Sequence, residues 1–136
     1  MKVVLDSSAV LAWLHGDERT PEIEALFDRI IEHGAIAPSP WRLEVANSLT
    51  MAARRKRITH AFRDEALADL DQFDIAIDTE TDLHAWKAST QLSDLYGLTV
   101  YDAAYLELAQ RRRMPLATLD AALARAAKAA GVDVLP

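Results

Sequence analysis

Four acidic side chains stand out in this 136-residue chain because of what flanks them. Asp6 ends the β-branched run KVVL, Asp102 begins the apolar helical pattern DAAYLELA, Asp120 follows PLAT and opens another helical pattern, and Glu44 lies inside an apolar helix. Each has an ordinary explanation. An aspartate at a helix start caps free backbone N–H groups, and Glu44, with Asn47 and Ser48 three and four residues on, could belong to a solvent-facing stripe. Two features favour a joint role instead. Asp6 has Ser7 and Ser8 beside it, either able to cap, and all three aspartates fall where strands end and helices begin, the edge at which open parallel sheets build their sites. Carboxylates gathered there raise one another's pKa and strain the fold unless a cation neutralises them. With no cysteine in the chain and no ligand spacing among His15, His33, His60 and His84, oxygen donors alone suit a hard divalent ion, Mg²⁺ or Mn²⁺, better than zinc.

The elements that must position these acids follow from the pattern. KVVL reads as a buried strand leading into the helix SSAVLAWL. Thr20 caps a second helix, Pro21 occupies its first position, Ile23, Leu26, Phe27, Ile30 and Ile31 keep helical spacing, and Gly34 ends it. AIAP is a short strand. PWRLEVANSLTMAARRK is a helix whose apolar residues surround its axis, and Arg57, Ile58 and Thr59 link it to a further helix carrying Phe62, Leu67 and Leu70. DIAID is a strand, and TDLHAWKASTQLSDLYG is one helix with Leu83, Trp86 and Leu95 on its apolar side and Gly97 as its stop. A further helix, the strand PLAT, the helix DAALARAAKAA and the strand VDVL complete the chain. Strands alternating with helices predict a parallel sheet with helices on both faces, an α/β domain spanning residues 1–136.

Composition bounds the function. Hydrophobic residues make up 51% and charged residues 26%, as in an ordinary soluble globule, and no apolar run is long enough for a membrane helix. The early charge at Asp6 argues against a signal peptide, so a cytoplasmic protein is expected. A formal net charge of −6 excludes wholesale coating of nucleic acid, so any such contact must be local. RRKR at Arg54–Arg57 and RRR at Arg111–Arg113 would allow it, although cations at helix ends also complement the helix dipole.

Taken together, VVLDSSAVLAWL, LEVANSL followed by RRKRI, LTVYDAAYLELA and PLATLDAALARAAKAAGVDVL resemble the PIN-domain ribonucleases, and among them the VapC-type toxins of toxin–antitoxin pairs. The likeness runs the length of the chain. It implies a three-layer α/β/α sandwich around a short parallel sheet, and a catalytic metal site of Asp6, Glu44, Asp102 and Asp120. Asp6 and Asp102 would be the principal Mg²⁺ ligands, with Ser7 and Thr118 supplying supporting hydroxyls. It further implies hydrolysis of RNA to 5′-phosphate and 3′-hydroxyl ends, a homodimer, and silencing by a cognate antitoxin. Apolar helices around Trp13, Trp41 and Phe62 are candidate protein-binding surfaces, and all six arginines of the two basic clusters are candidates for RNA phosphates. The alternatives are a non-catalytic module of the same fold that binds RNA or protein, and a receiver-like phosphoacceptor domain. The latter fits poorly because Asp6 stands alone rather than in an acidic pair, and no lysine follows a late strand close to the cluster.

Overall fold

A computed structural model describes residues 2–136. Five very short strands form one parallel sheet: β1 (Val3–Leu5), β2 (Ala35–Ala37), β3 (Ile75–Ile77), β4 (Leu116–Ala117) and β5 (Val134–Leu135), in the order β3-β2-β1-β4-β5. The three inner strands are wholly buried, as expected for a sheet covered on both faces, and their residues are accordingly apolar throughout rather than alternating.

The helices are α1 (Ser7–Leu14), α2 (Pro21–His33), α3 (Trp41–Arg54), α4 (His60–Leu70), α5 (Thr81–His84), α6 (Ala88–Tyr96), α7 (Val100–Arg112) and α8 (Ala121–Ala129). From β1 through β2 to β3 the chain moves one way across the sheet, and from β4 to β5 it moves the other. Right-handed crossovers therefore put α1–α4 on one face and α5–α8 on the opposite one. The packing agrees: α1 lies against α2 and α3, and α3 against α4, while α7 lies against α5, α6 and α8. The result is a three-layer α/β/α sandwich. Among the described residues no helix is long and apolar enough to cross a membrane.

Local signals in the sequence account for most boundaries. Thr20 accepts from Ile23 N–H, Pro21 begins α2, and Gly34 ends it at φ 81°, a left-handed value that favours glycine. Gly97 closes α6 in the same region, at φ 67°. The helix expected over residues 81–96, however, is two. Lys87 takes φ −130°, ψ −83°, and the chain turns between α5 and α6. The apolar side expected there is also outermost: Trp86 is 95% exposed, and Leu83 and Leu95 are exposed with it. Apolar spacing identifies a face that must be covered, but not whether this chain covers it.

α3 departs from expectation too. Only the stripe Trp41, Val45, Leu49 and Ala53 is buried, and Leu43 is exposed. Of the three aromatic residues expected to mark protein-binding surfaces, Trp41 is buried and Trp13 stacks on Phe27 with centroids 4.7 Å apart. Phe62 alone is exposed.

Candidate active site

The β1–β4 pairing sets the centre of the site. Leu5 is the register partner of Ala117, so the next residues, Asp6 and Thr118, emerge side by side at the carboxyl edge of the sheet. Asp6 N–H donates to Ala117 C=O at 3.0 Å. The Asp6 side chain is buried and receives two hydroxyl protons on one oxygen, from Thr118 Oγ1 and Ser8 Oγ to Oδ2, each at 2.7 Å. Its other oxygen, Oδ1, has no hydrogen bond among the described residues, yet it is not sealed in the interior. The hydroxyls also anchor the turn into α8, since Ser8 Oγ accepts from Leu119 N–H and Thr118 Oγ1 from Asp120 N–H. The Ser7 hydroxyl, expected in this supporting role, makes no hydrogen bond among the described residues; Ser8 occupies that role. Neighbouring positions on a helix point about 100° apart, and Ser8 is the one directed at Asp6.

The capping explanation separates the aspartates. Asp6 stands at the N-cap of α1 but makes no side-chain cap bond. Asp102 is not a cap at all: Thr99 caps α7, its hydroxyl accepting from Asp102 N–H at 3.1 Å. Asp120 does cap α8, with Oδ1 accepting from Leu123 N–H at 2.9 Å. Of the three carboxylates, only Asp120 bonds a free helix N–H with its side chain.

Glu44 projects from the first turn of α3, and its Oε1 accepts from the Tyr105 hydroxyl at 2.9 Å. Tyr105 is fully buried on α7, three residues beyond Asp102. Sequence reasoning missed Tyr105, although its spacing from Asp102 put both on one helical face.

Charge joins all four acids. Burial raises the Glu44 pKa above its ordinary value; the Tyr105 hydrogen bond opposes this, and the charges of Asp6 and Asp102 add to it. Burial likewise raises Asp102, followed by the charges of Asp120 and Asp6, while the Thr99 hydroxyl opposes the rise. Among the described residues none of the four is paired with lysine, arginine or histidine. The donor set thus suits a divalent cation: oxygen only, net negative, and with Asp6 Oδ1 unengaged. As the side chains stand, no three acidic or imidazole groups among the described residues form a ready chelating cluster, as expected of like charges that spread apart.

Arg111 differs from the other arginines of the two clusters. Its guanidinium bonds Asp78 Oδ2 at 2.6 Å and Glu107 Oε1 at 2.8 Å, and lies 3.6 Å from Glu80. Thr81 Oγ1 also donates to Asp78, at 2.8 Å. Arg111 is thus already engaged by carboxylates of its own chain, unlike the other five candidates for RNA phosphates. Arg54, Arg55, Arg57, Arg112 and Arg113 are exposed, with no carboxylate partner among the described residues.

Residues 3–129 match the model of the PIN domain. The chain belongs to the PIN domain family. This PIN domain is 33% identical over 124 residues to Ribonuclease VapC3 of Pyrobaculum aerophilum, an alignment covering 91% of this chain and 93% of the relative. The crystal structure of PAE2754 from the same organism superposes with a TM-score of 0.71 at 24% identity, covering 98% of this chain and 89% of the other. FitAcB from Neisseria gonorrhoeae gives 0.68 at 15% identity, with 98% and 96% coverage. VapC20 of Mycobacterium tuberculosis, described as a sarcin–ricin loop cleaving toxin, gives 0.67 at 18%, with 99% and 100% coverage. The structural likenesses establish the fold shared by this PIN domain.

Proposed function

We propose that this PIN domain is a metal-dependent endoribonuclease and the toxin of a toxin–antitoxin pair, acting in the cytoplasm as one domain. The observation that carries the reading is the uncompensated rim of Asp6, Glu44, Asp102 and Asp120, in which burial and mutual charge raise two of the four pKa values. A chain that folds against such repulsion gains when a cation arrives. Homology to a ribonuclease along 91% of the chain supports the same assignment.

Asp6 and Asp102 would hold Mg²⁺ or Mn²⁺, with Asp120 and Glu44 completing the set directly or through water. The bound ion supplies Lewis acidity toward the phosphate and acidifies the attacking water. Ser8 and Thr118 fix Asp6 by occupying Oδ2, which leaves Oδ1 for the ion. Asp120 keeps one oxygen on the α8 cap and has the other available. Since water rather than the ribose 2′-hydroxyl attacks, the products carry 5′-phosphate and 3′-hydroxyl ends.

The RNA track follows α1 and α3, both of which start at the acidic rim. A groove of 520 Å³ between them is lined by Leu11, His15, Ser48, Ala52, Arg55 and Arg57, with the carboxylates Asp17 and Glu18 also in its wall. Arg55 lies about 16 Å from Glu44 along the helix axis at 1.5 Å per residue, within reach of a flanking phosphate. Such contacts confer affinity rather than base choice.

The exposed apolar surface of Leu83, Trp86 and Leu95 supports a homodimer, with the antitoxin as the other protein partner. Trp86→Asp is expected to convert the dimer to monomer in sedimentation at micromolar concentration without lowering helix content; an unchanged mass would move the dimer contact elsewhere.

The function is tested by incubating the pure chain with structured RNA and Mg²⁺, with and without chelator, and sequencing the fragment ends. Chelator-sensitive cleavage leaving 5′-phosphates is expected. Tight RNA binding with no cleavage in either condition would instead make the chain a binding module.

A further inference from the structure

Glu44 has three rotatable side-chain bonds, sits partly exposed, and is repelled by Asp6 and Asp102. Left to itself it would turn toward water, away from the rim. Among the described residues one hydrogen bond to its side chain opposes this, from the hydroxyl of Tyr105. The tyrosine ring is fully buried in the core, so its hydroxyl is held in place by packing rather than by the site. Its element, α7, lies on the opposite face of the sheet from α3, and the hydrogen bond closes the rim between the two helix layers. Buried tyrosine hydroxyls commonly find some partner. What distinguishes this one is that the partner is a carboxylate in surroundings that disfavour its charge, and bonds to ionised acceptors are about twice as strong as neutral ones.

We infer that Tyr105 is a positioning residue: by donating to Oε1 it holds Glu44 at the rim and leaves Oε2 without a hydrogen bond among the described residues, so that the fourth carboxylate stays at the rim until the cation draws it in. The inference rests on the metal-site reading above. It predicts that the effect of Tyr105 on metal binding passes through Glu44 alone. Pre-ordering a ligand lowers the entropy lost on binding, and loss of a partner that orients a metal ligand typically weakens metal affinity about 10- to 100-fold.

The test is a double-mutant cycle on the full chain without RNA, with Mn²⁺ affinity read by calorimetry. Tyr105→Phe keeps the ring and removes only the hydroxyl. It is expected to weaken Mn²⁺ binding about 10-fold, with the circular dichroism spectrum unchanged. In a Glu44→Ala background the same change is expected to alter affinity by less than about 2-fold, because the pair is already broken. In RNA cleavage, Tyr105→Phe should lower kcat and leave KM unchanged. Equal losses in both backgrounds would mean that Tyr105 acts through general packing, and no loss in either would mean that Glu44 holds its place unaided; each overturns the inference while leaving the metal site standing. An unaltered chain that binds no Mn²⁺ would overturn both.

Discussion

Asp102→Asn is expected to lose metal-dependent RNA cleavage by about 10²- to 10³-fold or more, the scale on which removing one preorganised electrostatic group acts, and at the same time to raise the melting temperature of the metal-free chain. The two effects have one origin. Burial, then the charges of Asp120 and Asp6, raise the Asp102 pKa above its ordinary value of 3.8. An acid whose pKa is raised by folding holds its proton longer in the native state than in the unfolded chain, so native stability falls as pH rises from 3.8 through the raised value. Above the raised value that cost is fully present. The favourable effect of a carboxylate in the first turn of a helix, about 0.3–1 kcal/mol, acts the other way; the raised pKa means that burial and repulsion outweigh it. Asparagine keeps the shape and removes the charge. The stabilisation should therefore be clear at pH 7 and vanish below pH 4, where aspartic acid is itself neutral. Scanning calorimetry at both pH values, beside a cleavage assay, checks the pair of results. A variant that is less stable at pH 7 and fully active would remove Asp102 from the site.

The second large effect lies outside the site. Arg111→Ala is expected to destabilise the chain by about 3–5 kcal/mol, because breaking a buried ion pair leaves charge without compensation. The Asp78 and Glu107 side chains are only 3% and 6% exposed, and no other arginine or lysine pairs with either among the described residues. For a chain of this size the loss is about 10–20 °C in melting temperature. Burial by itself would raise the Asp78 pKa, but the hydrogen bonds from Arg111 and Thr81 outweigh it and hold the carboxyl below its ordinary 3.8. A lowered acid contributes stability above its unfolded pKa and loses it as pH falls through the folded one. Wild type should thus lose stability on acidification below pH 3.8, a slope that Arg111→Ala should lack. Replacing all three partners together, Arg111→Met with Asp78→Asn and Glu107→Gln, should restore much of the loss, since removing a whole buried network costs far less than breaking it. Thermal melts of the single and triple variants decide the matter; a single variant as stable as wild type would mean that the network is dispensable.

These residues also mark what local pattern could reveal. The frame of α2 was readable because Thr20, Pro21 and Gly34 act on their own neighbours, through a cap, a preset φ and a left-handed turn. The same holds for β1 and for the convergence of Asp6 with Asp120, which needs only that β1 and β4 be adjacent. Sequence left open what depends on distant partners. Glu107 and Arg111 carry the i, i+4 spacing of a helical ion pair, but the carboxylate that fixes Arg111 is Asp78, 33 residues away, and nothing local joins them. Tyr105 meets Glu44 across 61 residues. Leu83, Trp86 and Leu95 form an apolar pattern that reads the same whether it faces a core or solvent. Ser7 and Ser8 differ only in helical phase, and only tertiary structure tells which one reaches Asp6.

Whether carboxylates from four separated segments share one cation is measured most directly by anomalous scattering from a crystal soaked in Mn²⁺. The expected result is a peak at the carboxyl edge of β1, with oxygens of Asp6 and Asp102 about 2.1 Å away, as small divalent ions require, and with Glu44 and Asp120 drawn toward it. A peak elsewhere, or a fully loaded crystal in which Asp6 and Asp102 share no ion, would contradict it.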